Sequence, residues 1–117
     1  MKRLETLTGH RFQYKEHPDK ELIVYPPDKQ GGLQEKSAIV ITPFTQMVVK
    51  EGIKSNGEIL MGASRDNPPK NSLGALIKRE NQSPQQLSYL TPILIEGGFC
   101  TSQKHGKAFV IRYQTGR

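Results

Sequence analysis

Residues 72–113, SLGALIKRENQSPQQLSYLTPILIEGGFCTSQKHGKAFVIRY, decide the predicted fold. They contain two segments with apolar residues at helical spacing, a polar turn between these segments, and then two strand-like runs. Ser72 is placed to cap the first helix by accepting a backbone N–H, and Asn81-Gln82 ends that helix. Ser83-Pro84 repeats the cap and puts proline at the first helical position, where no backbone N–H is needed. The predicted order is helix, turn, helix and hairpin.

The inward face of each predicted helix is set by its large aliphatic residues. These are Leu73, Leu76 and Ile77 in the first helix and Leu87, Leu90 and Leu94 in the second. Pro92 lies inside the second helix, where it removes a backbone hydrogen bond and clashes with the preceding turn, at a cost of about 3 kcal/mol. Two arrangements are open: one kinked helix that ends at Gly97-Gly98, or two short segments at residues 84–90 and 92–97.

The two strand-like runs carry cations and no acids. They are residues 99–102 and 107–113, joined by a turn at residues 103–106, and no Asp or Glu occurs from Gly97 to the C-terminus. Residues 61–117 hold eight Lys or Arg against three acids, a net charge of +5, whereas residues 1–60 have a net charge of +1. Nearly all of the total charge of +6 therefore belongs to the C-terminal half. A one-sided positive field suits a polyanion better than a neutral small molecule.

This order of elements resembles the winged helix-turn-helix superfamily over residues 72–113. The resemblance implies a DNA-binding protein in which the helix beginning at Pro84 is the recognition helix and the hairpin is the wing. A first helix of the bundle would come from residues 43–51 or be absent. The residues that the resemblance implies for nucleic-acid binding are Gln85, Gln86, Ser88 and Tyr89 on the helix, and Lys104, His105, Lys107 and Arg112 on the hairpin.

These residue types have the chemistry for that role. A glutamine side chain offers a donor and an acceptor together to the edge of adenine, and Ser or Tyr hydroxyls reach phosphates or bases. A helix N-terminus adds backbone amides and partial positive charge for a phosphate. Two structural interpretations stand beside this one: the glutamines form the solvated face of a surface helix, and the cations protect a strand edge from pairing.

The N-terminal half has the patterns of short strands. Residues 11–15 alternate polar and aromatic side chains, so Phe12 and Tyr14 share one face of a strand. We expect these two rings in the core rather than on a base-stacking surface of a single-strand binder. Further strands are predicted at residues 21–25 and 37–42, each an apolar run bounded by turn or polar residues.

One short helix is predicted within the N-terminal half, capped by Thr42-Pro43 and ended by Gly52. Asn56-Gly57 then indicates a tight turn into a strand, because both residues tolerate positive φ. The fold class is therefore α+β, with a strand-rich N-terminal half at residues 1–66 and a winged-helix-like C-terminal half at residues 67–117. The sequence leaves open whether the two halves share one core as a single domain.

Residues typical of enzymes and metal sites are few. His10, His17 and His105 have no spacing that predicts a metal site, and no phosphate-binding loop is present. We therefore predict no metal, no cofactor and no catalytic residue. The enzyme alternative is a small metal-independent ribonuclease in which His10 or His17 pairs with His105 as acid and base. The lone Cys100 predicts a small strand residue and a reducing compartment.

The function expected from the sequence is nucleic-acid binding, with double-stranded DNA favoured over RNA. The role is regulatory, as in transcription regulation, or accessory to a larger machine, rather than catalytic. A protein-interaction module of a larger complex is the alternative. No apolar run approaches the roughly 20 residues of a membrane span, so we expect a cytoplasmic protein with no membrane partner. The sequence predicts neither the target nor the oligomeric state.

Overall fold

The computed structural model describes residues 1–26, 38–63 and 67–114. Within these ranges the chain has seven strands and three α-helices, so it is α+β with a strand-rich N-terminal half. The strands are β1 (Lys2–Glu5), β2 (Arg11–Glu16), β3 (Leu22–Tyr25), β4 (Ile39–Ile41), β5 (Glu58–Leu60), β6 (Cys100–His105) and β7 (Ala108–Tyr113). The helices are α1 (Pro43–Asn56), α2 (Leu73–Arg79) and α3 (Leu87–Glu96), with a 3₁₀ turn, Pro84–Gln86, directly before α3. No helix in the described ranges is long and apolar enough to cross a bilayer.

The first four strands form an antiparallel sheet in the order β1-β2-β3-β4. Its register places Leu4 opposite Phe12 and Tyr14 opposite Val24, so these side chains share the inward face of the sheet. Phe12 and Tyr14 are almost fully buried, which confirms their prediction as core residues. Strand β1 was not expected, because Leu4 is the one apolar side chain among its four residues.

The remaining elements follow in the order α1, β5, α2, α3, β6 and β7, and their strands form a second antiparallel sheet, β5-β7-β6. Ile59 on β5 lies opposite Ile111 on β7, and Ile111 is fully buried. Strands β6 and β7 form a hairpin that stays paired out to His105 opposite Ala108. Its turn is therefore tighter than the predicted turn at residues 103–106.

A single hydrophobic cluster joins the two sheets. It contains buried residues of β2, β3 and β4 together with residues of all three helices, β5, β6 and β7. Helix α3 contacts β1 as well as β6, and Leu87 and Leu90 on this helix are fully buried. A chain of this length buries a larger fraction of its surface in one shared core than in two small ones.

Helix α1 extends further than its sequence predicts. The cap is confirmed: Thr42 Oγ1 accepts the N–H of Thr45 at 3.2 Å. Gly52, the predicted end, lies inside the helix instead. A Cβ at this position would meet Leu73 and Leu76 of α2, so the glycine allows the two helices to approach each other closely. The signal that looked like a stop is thus a packing contact.

Asn56-Gly57 closes this helix rather than a hairpin. Asn56 is the last residue of α1, and Gly57, with a φ of 72°, donates its N–H to the carbonyl of Ile53 at 2.9 Å. The positive φ behind the hairpin prediction is real, but it serves a helix C-terminus. The strand expected after it is β5.

The caps predicted for the next two helical segments are confirmed. Ser72 Oγ accepts the N–H of Ala75 at 3.2 Å, and Ser83 Oγ accepts the N–H of Gln85 at 3.3 Å. Pro92 lies inside α3, which is continuous across it, so one helix forms rather than two segments. The proline is buried, and the packing of α3 between the sheets offsets the backbone hydrogen bond that it removes.

Gly74 and Gly52 are expected to differ in how well they tolerate alanine, because only Gly74 packs against backbone. A Cβ at Gly74 of α2 would overlap the carbonyl oxygen of Gly62. We expect Gly74→Ala to lower the free energy of unfolding by more than about 2 kcal/mol, although alanine is the better helix former. Gly52→Ala is the matched control, because its Cβ would meet the flexible end of Leu76 at 2.7 Å. We expect a change below about 1 kcal/mol there. Urea denaturation of both variants measures this, and equal losses would contradict the assigned contact.

Candidate functional site

The hairpin of β6 and β7 projects from the body of the protein. All eight residues from 101 to 108 are exposed, whereas Cys100 and Ile111 at its base are buried. Gly106 at the turn has a φ of 63°, which glycine adopts without strain. Because successive strand residues point to opposite faces, both faces of this ribbon are open to solvent.

Three of the predicted site residues lie together at the end of this hairpin. Lys104, His105 and Lys107 are exposed, and they flank the turn at Gly106. Neither of the ion pairs between described residues involves them. No acid follows Gly97 in the sequence that could neutralise them locally. We call Lys104 and Lys107 the hairpin cations. Their charge is available to an anion from solution.

Arg112 lies apart from the hairpin cations. It is opposite Glu58 across the β5–β7 pair, and its Nη2 donates to Glu58 Oε2 at 3.0 Å. The two side chains are 58% and 50% exposed, so the ion pair is at the surface. Part of the charge of Arg112 is therefore already paired. The structure does not group Arg112 with the other predicted hairpin residues.

The glutamines at the start of α3 differ in their surroundings. Gln85 is exposed in the 3₁₀ turn. Gln86 is half-buried, and its Nε2 donates to Gln82 Oε1 at 3.1 Å. The Oε1 of Gln86 is buried without a hydrogen-bond partner. Of the two, only Gln85 presents its whole amide to solvent.

The side of α3 that was expected to face DNA is covered by the N-terminal sheet. Tyr89 packs edge-to-face on Phe12 of β2, with ring centroids 5.2 Å apart and an interplanar angle of 78°. Glu96 is the single exposed residue of α3, and Ser88 is half-buried. The contact with Phe12 covers part of the Tyr89 ring, and a role for Tyr89 in nucleic-acid binding stays a prediction. The leucines of α3 predict which side of the helix packs against the other helices. They do not predict that the N-terminal sheet packs on a second side.

A smaller concave site beside the turn of the hairpin includes residues that the sequence did not indicate. It is a cavity of about 320 Å³ between the turn joining β1 to β2, the start of α3 and strand β7. Thr6 and Thr8 from the β1–β2 turn line it, with their hydroxyl oxygens 3.1 Å apart, and Ser88 and Lys107 line it from the other side. We call it the hairpin-turn cavity. No sequence signal links Thr6 and Thr8 to residues a hundred positions later, because only the tertiary fold brings them together.

A larger groove of about 970 Å³ lies between the N-terminal sheet and the far end of α3. It contains cations and acids together, including Lys50, Glu16 and Glu96. The Lys50 ammonium lies 5.6 Å from the centroid of the Phe99 ring. Burial, and next the nearby carboxylates Glu96 and Glu16, raise the pKa of Tyr14. None of the predicted site residues lines this groove, and its mixed charge favours no single kind of ion.

The three histidines of the chain are all among the described residues, and their contacts bear on the ribonuclease alternative. No hydrogen bond between described residues joins His105 to His10 or His17. His17, Asp19 and Glu21, in the turn between β2 and β3, have ligand atoms within 4.8 Å of one another, which the spacing rules did not predict. Acidic groups exposed in this way are common without a bound ion. This group has no part in the function proposed below.

Comparison of the chain with protein-family models, with curated proteins and with solved structures found no match. Function is therefore inferred from the geometry and charge of the described residues.

The thiol of Cys100 is buried at the start of β6. Burial raises its pKa from 9.0 to about 11. The unfolded chain therefore releases this proton at a lower pH than the folded protein does, so stability is lost as the pH rises from 9 to about 11. We expect the stability advantage of the native protein over Cys100→Ala to shrink across that window, as measured by urea unfolding at pH 8, 9, 10 and 11. A constant difference would contradict the shift.

Proposed function

We propose that this chain is a nucleic-acid-binding protein with double-stranded DNA as its preferred target and a regulatory or accessory role. The observation that carries the proposal is the projecting hairpin, whose eight exposed residues include the hairpin cations and no acid. Phosphate oxygens are the natural partners of Lys side chains displayed in this way. A hairpin that binds no partner would not need lysines without neighbouring acids at its turn.

The order of elements supports a winged helix-turn-helix arrangement as part of this proposal. Helix α1 supplies the first helix that such a bundle needs, β5 joins the hairpin in one sheet, and α2 and α3 follow with a short turn between them. The fully buried residues Leu73, Ile77 and Leu87 belong to the faces that pack α2 and α3 into the bundle. The wing in this arrangement is the β6–β7 hairpin.

The covered side of α3 changes how such a protein would engage DNA. A helix with one exposed residue cannot lie in a major groove, so base reading from α3 is confined to Gln85 at its start. A two-stranded ribbon also fits the major groove, which is about 12 Å wide. We therefore assign the hairpin, rather than α3, as the element that enters a groove or follows its phosphates. Binding of this kind is dominated by backbone charge and carries little sequence information.

A second candidate function is protein interaction, favoured by exposed apolar side chains on β4 and α1. Val40 on β4 and Phe44 and Met47 on α1 are 44%, 50% and 52% exposed. Phe44 and Met47 are three residues apart on α1, so they lie on the same side of this helix. Contiguous exposed apolar residues are typical of contact surfaces. Salt separates the two candidates, because phosphate-driven binding weakens steeply as ionic strength rises and apolar docking does not.

The hairpin cations give the first test. We expect Lys104→Ala combined with Lys107→Ala to weaken binding to all duplexes about equally and to reduce the slope of log affinity against log salt by about 2. Fluorescence polarisation with labelled duplexes at several salt concentrations measures both quantities. The control is Lys54→Ala combined with Lys70→Ala, which removes the same charge from exposed positions off the hairpin. A salt slope that changes equally in both double variants would remove the hairpin from the interface.

Gln85 gives a test of base reading. We expect Gln85→Ala to reduce discrimination between related duplexes by about 1 kcal/mol or more, with a smaller effect on affinity for random DNA. Gln114→Ala, which removes an exposed amide from the far end of β7, is the control. If Gln85→Ala lowers affinity for all sequences alike, the turn before α3 positions the protein without reading bases.

A further inference from the structure

The hairpin-turn cavity favours an anion, whereas the larger groove favours no single kind of ion. Most of its wall is apolar and includes Leu7, Met61, Ala63 and Phe109. Among the described residues that line it, Lys107 is the one charged group and none is an acid. The larger groove, in contrast, contains Glu16 and Glu96 beside its lysines.

The polar groups of this cavity are few, and they suit an anionic head group. The hydroxyls of Thr6 and Thr8 share one hydrogen bond, so one proton of the pair remains for a ligand. Ser88 can donate a hydrogen bond as well, and Lys107 adds positive charge. A carboxylate accepts hydrogen bonds and never donates, so it suits these donors. The exposed Lys107 ammonium attracts an anion and repels a cation, and an uncharged molecule gains nothing from its charge.

From these observations we propose that the hairpin-turn cavity binds a small apolar molecule with one carboxylate group. Its volume of about 320 Å³ lies at the lower end of the range for ligand pockets, so the ligand is small. The apolar part lies against Met61, Ala63 and Phe109, and the carboxylate lies at Lys107 among the hydroxyls. A short fatty acid has this chemistry.

Lys107 belongs both to this cavity and to the hairpin cations. A ligand carboxylate at Lys107 would compete with a phosphate for the same ammonium. Binding of the acid would therefore weaken binding of a duplex, and by linkage a duplex would weaken binding of the acid by the same factor. This coupling rests on the proposed function, whereas the binding site itself does not.

The test uses the chain of 117 residues without nucleic acid, titrated with octanoate, octan-1-ol and octylammonium in parallel. We expect octanoate to bind at least about fivefold more tightly than octylammonium, which is the size of effect that one partly exposed ion pair supplies. Calorimetry gives the affinities. Backbone amide NMR shifts locate the site, and we expect them at Thr8, Met61 and Lys107. Equal binding of all three compounds, no binding of octanoate, or shifts centred on Tyr14 and Phe99 would overturn the proposal.

Matched variants separate a specific site from general apolar binding. We expect Lys107→Gln to remove the preference for octanoate and Lys104→Gln, which changes a hairpin cation that does not line the cavity, to keep it. Ala63→Leu should fill part of the cavity and weaken octanoate binding with little change in thermal stability. If Lys104→Gln and Lys107→Gln act alike, or if Ala63→Leu folds and binds octanoate as tightly as the native protein, the assigned site is wrong.

A second measurement distinguishes failure of this proposal from failure of the proposed function. Octanoate is added to the protein with a labelled duplex, and we expect release of the duplex in proportion to occupancy of the cavity. A protein that binds octanoate at Lys107 but no duplex would refute the nucleic-acid function and support the cavity. A protein that binds a duplex but no octanoate would refute the cavity and leave the hairpin as its interface.

Discussion

The packing of α3 between two sheets is the contact on which the rest of the structure depends. Leu87 and Leu90 are fully buried, and Tyr89 contacts Phe12 of the N-terminal sheet. Buried residues of α3 and of both sheets belong to one hydrophobic cluster. The same contact limits which surfaces stay free, because a helix with one exposed residue offers little surface to a partner. Lys104 and Lys107 lie instead on an exposed hairpin.

Sequence patterns predicted local features well wherever the deciding groups are neighbours in the chain. The caps at Thr42 and Ser72 and the alternation around Phe12 each depend on residues within five positions, and the structure agrees with all of them. The error at Gly52 and the unpredicted ring contact of Tyr89 have a different origin. Each of these residues is defined by an element distant in sequence, which no local pattern encodes: α2 lies against Gly52, and β2 lies against Tyr89.

The candidate site divides in the same way. The hairpin cations could be predicted, because the lack of acids after Gly97 is visible in the chain itself. The neutralisation of Arg112 could not, since its partner Glu58 is 54 residues away. The hairpin-turn cavity is also a tertiary feature, formed where the β1–β2 turn meets the turn end of the β6–β7 hairpin. A single lysine, Lys107, connects what the sequence indicates with what only the fold assembles.

The exposure of residues 101–108 has a consequence for how this protein can change over generations. None of these side chains contributes to the hydrophobic interior, so substitutions there escape the constraint that close packing imposes on interior positions. Mutational drift can lengthen, shorten or recharge the ribbon while the remainder of the molecule is preserved. The proposed binding element is thus free to diversify independently of the part that maintains the folded state.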